Sequence, residues 1–313
     1  MRAMGIIVLL CQAAACNSDA KQGSAAQRGA SSGVTSTGFD GNAAYNYAKA
    51  QVDFGPRVPG TPAAKLAGDW IIRQMRARAD TVIVQAFTHT TADGKKLPMR
   101  NILARFRPEL TERVLYVTHW DSRPISELAA IDAEKKLAVP GANDGASGVG
   151  LFVALGDALK KAKPNVGVDL LFTDGEDYGE FGPPQVDVLI GAKYFAAHLP
   201  SPGYKPLYGV LWDMIGDKDL RIPYEMISFQ QAPEVVSRVW QTAADLGYGD
   251  AGGRSRSLNA SLSAGPARAL DGPAEGGLLV ACRAAPPVRR RRLRAPIKSL
   301  NKRLNFQPGA QPT

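Results

Sequence analysis

Between Phe39 and Asp250 the chain alternates short β-rich runs with helix-length amphipathic segments, and this alternation confines it to a small set of architectures. Thr61-Pro62 supplies an N-cap followed by proline at the first helical position, and Leu66, Trp70, Ile71 and Met75 then recur on one helical face. Thr81–Phe87 is β-rich, Asp93-Gly94 is a hairpin turn signal, and Asn101–Phe106 and Arg113–Thr118 read as further strands. Val114–Val117 has no polar interruption, which predicts a central strand covered on both faces. Gly145–Lys160 is apolar nearly all round and reads as a buried helix. Val168–Thr173 and Tyr208–Trp212 are strands, while Val188–His198 and Pro233–Leu246 are helices. The second of these helices directs Val235, Val236, Val239, Trp240 and Ala243 inward. The expected fold is α/β, a three-layer α/β/α sandwich around a mixed, mostly parallel sheet.

Acidic residues gather where these strands end. RVLYVT runs into His119-Trp120-Asp121, VDLLFT into Asp174-Gly175-Glu176-Asp177, and YGVLW into Asp213. Asp144 lies in the glycine-bracketed turn PGANDG ahead of the buried helix. An Asp after a strand is commonly a cap or turn former, and a lone His is commonly a satisfied polar group. Four such placements at one sheet edge are harder to explain that way, because in open α/β sheets the ligand crevice lies at the carboxyl ends of the strands. Converging carboxylates repel one another unless a cation neutralises them. Imidazole with carboxylate donors favours zinc over manganese or cobalt.

The segments THWDS, GANDGASGVG, FTDGEDYGEFG and LWDMIGD, in this order and spacing, resemble the co-catalytic zinc exopeptidases of the M28 family, which contains bacterial aminopeptidases and glutaminyl-peptide cyclotransferases. The resemblance covers about residues 39–250, and FGPRVPGT looks closest to the cyclotransferase branch. It implies that His119 and Asp213 bind one zinc, that Asp144 bridges two, and that Asp177 binds the second. It also implies Glu176 as the general base and Asp121 as the outer carboxylate beside His119. The activity implied is hydrolysis of the first bond of a peptide or protein N-terminus, with Glu176 taking a proton from the attacking water and returning it to the leaving amine. The alternative is pyroglutamate formation from N-terminal glutamine, with Glu176 passing a proton from the α-amine to departing ammonia. A second alternative is an inactive ectodomain on the same fold. His89, near the hairpin, and His198, at a helix end, are expected to be exposed or structural and to bind no metal.

Family members complete the second metal position with a histidine near the C-terminus. Here the three histidines are His89, His119 and His198, and none follows Asp250. Composition breaks at the same place. From Gly252 to Thr313 ten Arg and two Lys face only Asp271 and Glu275, so the formal net charge of +9 belongs wholly to this segment. Leu, Ile, Val and Phe make up under a fifth of it, a composition that predicts disorder, with Gly277–Ala281 its one short strand candidate. A basic appendage for nucleic acid or an anionic surface, carried by Arg289–Arg292 and Arg294, is one reading, but no aromatic interleaving or nucleic-acid fold signature supports it. A C-terminus foreign to the fold, such as a shifted reading frame would produce, agrees better with the missing histidine. One or two zincs are expected, the second position being incomplete so that at most one binds with useful affinity, and no nucleic-acid partner.

At the other end, Arg2, the apolar run Gly5–Leu10 and Ala13-Ala14-Ala15-Cys16 resemble a bacterial lipoprotein signal with lipidation at Cys16. Export to the periplasm or cell envelope, anchored in a membrane through that lipid, is the expectation. The cysteines Cys11, Cys16 and Cys282 form no disulfide framework. The expected organisation is a signal over 1–16, a flexible linker over 17–38, the α/β domain over 39–251 and the basic tail over 252–313.

Overall fold

The computed structural model describes residues 38–218, 220, 222–247 and the strand 277–281. Cys16, the signal, nearly all of the linker and most of the basic tail lie outside the described residues. The elements follow the order α1 (Gly41–Val52), α2 (Pro62–Arg76), β1 (Thr81–Thr90), β2 (Lys96–Phe106), β3 (Arg113–His119), α3 (Ala146–Lys161), β4 (Gly167–Thr173), α4 (Ile190–Ala197), β5 (Tyr208–Asp213), α5 (Met226–Gln231), α6 (Pro233–Asp245) and β6 (Gly277–Ala281).

The six strands form one sheet in the order β1-β2-β4-β3-β5-β6. β3 is central and runs parallel to both β4 and β5, whereas β1–β2, β2–β4 and β5–β6 pair antiparallel. The sheet is therefore mixed as expected, but its parallel part is confined to the middle three strands. The hairpin turn at Asp93-Gly94, where Gly94 has φ 85, reverses the chain between β1 and β2 and makes that edge antiparallel. At the other edge GLLVA adds to β5, pairing Gly277 with Asp213 and Ala281 with Gly209, so this part of the tail is a strand rather than a disordered segment. A run of β-prone apolar residues can satisfy the hydrogen-bonding edge that β5 would otherwise leave open.

Strand alternation sorts the side chains into two faces. Ile102, Ala104, Phe106, Val168, Leu170 and Phe172 pack with Ile71 and Met75 of α2 and Val149, Phe152 and Val153 of α3. Leu103 and Leu171 face the other way, onto Phe195 of α4. Val235 and Val236 of α6 close over Val210 beside Tyr116 and Tyr208. Helices thus cover both faces. Thr61 caps α2 by accepting from the Ala64 N–H at 3.2 Å. The stripe that α2 buries is Ala64, Ala67, Gly68, Ile71, Ile72 and Met75. Leu66, expected inside, is 53% exposed, because the small residues of that stripe bring the helix close to the sheet on a face rotated away from it. Among the described residues no helix is long and apolar enough to cross a membrane.

Candidate metal centre

Because β3, β4 and β5 are parallel, their carboxyl ends lie at one edge, and each delivers its acidic or imidazole group there. His119 is the last residue of β3 and is 1% exposed. Its Nε2 lies 2.8 Å from Asp144 Oδ1 and 3.3 Å from Asp213 Oδ1. Its Nδ1 lies 3.3 Å from Asp121 Oδ1. Asp213 closes β5 and is followed by Met214 at φ 49, a left-handed conformation in a residue with a side chain. Asp144 arrives from the turn before α3. That turn depends on Gly145 at φ 90, where a Cβ would come 2.5 Å from the Asp121 carbonyl oxygen and 3.3 Å from the His119 ring.

Asp121 holds the strand-end loop of β4 in place. Its carboxylate is fully buried and accepts from the backbone N–H of Glu176 at 3.0 Å and of Asp177 at 3.1 Å. Arg123 secures the same loop from outside by donating to the carbonyls of Asp177 at 3.2 Å and Gly179 at 2.8 Å. The Asp121 carboxylate therefore faces the imidazole of His119 and the backbone of two residues on the β4 loop.

Two groups of three donors converge closely enough for an ion. His119, Asp144 and Asp177 form one, and His119, Glu176 and Asp213 form the other, with the donor atoms of each group within 4.8 Å of one another. All five expected inner-site residues are thus brought together. Burial pushes the Glu176 carboxyl up to about 7; His119 opposes this, and Asp213, Asp121 and Asp144 add to it. Burial likewise pushes Asp177 up to about 9, again opposed by His119 and reinforced by Asp144, Asp121 and Glu176. For Asp144 burial acts in the same upward sense, but His119, Asp177 and Arg57 outweigh it and hold the carboxyl below its usual value. Burial would lower the proton affinity of His119, yet the charge of Glu176 and hydrogen bonds to Asp121, Asp144 and Asp213 raise it well above the ordinary range. An imidazole amid crowded carboxylates that retain protons is the donor set a divalent cation would relieve.

The other histidines stand apart from this centre. His89, expected to be exposed, is half-buried, with its Nε2 2.7 Å from Asp187 Oδ1, where the β1 strand meets the loop before α4. His198 ends α4, with its Nδ1 3.0 Å from the Tyr194 carbonyl and its ring stacked on Tyr194. Two further polar residues lie near the centre: Asp174, which the sequence placed at a strand end without a role, and Arg57, which it did not single out. Asp174, 2% exposed, accepts from the Arg100 N–H through Oδ2, and burial followed by the charge of Asp121 raises its carboxyl well above the usual range. Arg57, fully buried, has its guanidinium pushed down to about 10 by burial, against the opposing charges of Asp121 and Asp144. A lone charge inside the Pro/Gly-rich FGPRVPG was the available signal for it.

The chain is similar to known proteins in family model, solved structure and curated sequence. The family model described as Peptidase family M28 matches residues 101–253. The crystal structure of glutaminyl cyclase from Porphyromonas gingivalis is 39% identical and superposes with a TM-score of 0.67 over 69% of this chain and 75% of that one. A Zn-dependent exopeptidase from Parabacteroides distasonis is 36% identical with a TM-score of 0.66, over 69% of this chain and 76% of that one. Among curated proteins, one from Leptosphaeria maculans named "Probable zinc metalloprotease" is 30% identical over 181 residues, 53% of this chain and 39% of its own length. The chain spans about two fifths of the first curated relatives it matches, at 39% and 40% of their lengths.

Proposed function

The chain belongs to Peptidase family M28, and from that premise we propose that it is a zinc-dependent exopeptidase of the aminopeptidase type, acting on peptide or protein N-termini. The observation that carries this reading is the convergence of His119, Asp144, Glu176, Asp177 and Asp213 at the carboxyl edge of β3, β4 and β5. His119, Asp144 and Asp213 would hold one zinc, with Asp177 reaching the same space. When bound, the metal polarises the carbonyl under attack and acidifies water.

The remaining work falls to the chain. Glu176, beside the ligands and with its backbone N–H held by Asp121, is placed to take the proton of the attacking water and return it to the leaving amine. Asp121 orients His119 through Nδ1 while fixing the Glu176 backbone, so imidazole and base share one anchor. Asp144 is held below the usual carboxylate range, against its burial and by His119 above all, which suits it to bind a cation.

Glutaminyl cyclisation is the second reading, favoured by the likeness to the Porphyromonas gingivalis enzyme. In it Glu176 carries a proton from the α-amine to departing ammonia. Turnover of aminoacyl anilides against glutaminyl peptides, with and without added zinc, separates the two. Release of the anilide amine without ammonia supports the peptidase, ammonia release supports the cyclase, and neither in the zinc-loaded chain supports the inactive ectodomain. Export and lipidation at Cys16 belong to the same proposal and rest on the lipoprotein-like sequence of the first sixteen residues. Labelled palmitate should enter the expressed chain and fail to enter Cys16→Ser.

A further inference from the structure

From Gly55 to Gly60 the chain carries a single charge, Arg57, and folding removes it from solvent altogether. A buried guanidinium is tolerated where its donors are met, and those of Arg57 meet carbonyl oxygens. Nε donates to the Trp120 carbonyl at 3.2 Å, and the two terminal nitrogens donate to Pro140 at 2.8 Å and Gly141 at 2.5 Å. The Arg57 backbone joins the same arrangement. Its N–H donates to Ser122 Oγ at 2.7 Å, and its carbonyl accepts from the Ser122 N–H at 3.3 Å.

These partners belong to two segments with different origins. Trp120 and Ser122 flank Asp121 just after His119 at the end of β3, whereas Pro140 and Gly141 open the turn that delivers Asp144. We propose that Arg57 is a positioning residue of the metal centre, its guanidinium fixing the strand-end segment 119–122 against the turn 140–145 so that His119 and Asp144 are set before an ion arrives. The inference rests on the zinc reading above. A planar fork reaches three diverging carbonyls at once, which a single ammonium does not. Gly141 is the matching half of the device. Its φ is 65, and a Cβ there would lie 2.5 Å from an Arg57 terminal nitrogen and 2.8 Å from the Asp144 carbonyl oxygen.

Zinc titration against a chromogenic chelator, on the full chain and the variants Arg57→Met, Arg57→Lys and Arg78→Met, tests this. Arg78 is the control, since it pairs with Asp157 at 2.9 Å and donates to Tyr47, tying the helices together away from the centre. Arg57→Met and Arg57→Lys are expected to weaken zinc binding by about tenfold or more, the range for partners that orient ligands, while Arg78→Met loses stability but keeps the parent's affinity. If the parent binds zinc and Arg57→Met matches it within about twofold, short of that range, the positioning role is overturned. Should Arg57→Met fail to fold, parent-like affinity in Arg57→Lys overturns it equally. A parent without zinc affinity overturns the zinc reading itself, and this inference with it.

Discussion

At the residue scale the centre is an arrangement of protons as much as of ligands. Glu176 and Asp177 keep protons to about 7 and about 9, chiefly through burial, whereas the unfolded chain gives them up in the usual carboxylate range. A native state that binds more protons than the unfolded one loses stability as pH rises. For the metal-free chain, stability in urea should therefore fall from about pH 5 to about pH 8, most steeply while Glu176 and Asp177 are protonated in the native state but ionised in the unfolded one, and less steeply once they ionise in both. His119 acts in the same direction, since a raised imidazole contributes stability at low pH that is lost as pH climbs through its folded value. Asp144, held below its usual value, opposes this only at the acid end. Zinc should reverse the trend and release protons on binding, which calorimetry in buffers of different ionisation enthalpy would register. A metal-free chain that grows steadily more stable to about pH 8 would contradict this ordering. His119, Asp121, Asp144, Glu176, Asp177 and Asp213 could be read from the sequence because each follows a strand or enters a helix, so topology alone brings them together. Asp174 also follows a strand, and Arg57 is the lone charge of FGPRVPG, but what each does lies in burial and in backbone partners far along the chain, which no local pattern shows.

At the element scale the strands were legible and their directions were not. VIVQAF, RVLYVT and VDLLFT declare strand through β-branched and aromatic content, but nothing local tells which neighbour a strand will choose or in which sense. The antiparallel hairpin edge and the addition of Gly277–Ala281 to β5 are such choices. α1 escaped the sequence reading for a different reason: GNAAYNYAKAQV carries only a weak apolar stripe, and it docks through small residues. Gly150 of α3 makes that docking possible, since a Cβ there would collide with the Ala44 carbonyl oxygen and approach the Ala48 N–H and Cβ at about 3 Å. Gly150→Ala should therefore force α1 away from α3 and cost about 1–3 kcal/mol, read as a lowered urea midpoint. Zinc affinity should stay near the parent value, because the collision lies on α1 rather than at the carboxyl edge.

At the scale of the whole molecule the formal charge of +9 says little about partners, because it belongs to the residues after Gly252. The near-neutral remainder carries the proposed centre. With no histidine after Asp250, one imidazole serves two groups of donors that meet at His119. Elemental analysis of the purified, dialysed chain should find at most one tightly held zinc per chain. Two would mean that another donor completes the second position.

Catalysis by Glu176 at a zinc centre is tested most directly by single-substrate kinetics of the zinc-loaded chain and Glu176→Gln, on an aminoacyl anilide and on a glutaminyl peptide, with bound zinc measured in both. The expected result is turnover of one substrate by the parent that falls about 10²–10⁴-fold in Glu176→Gln, the range for loss of a general base, with zinc content unchanged. Turnover left intact by that substitution would contradict the assignment of Glu176, and a zinc-loaded parent inert toward both substrates would contradict the catalytic reading.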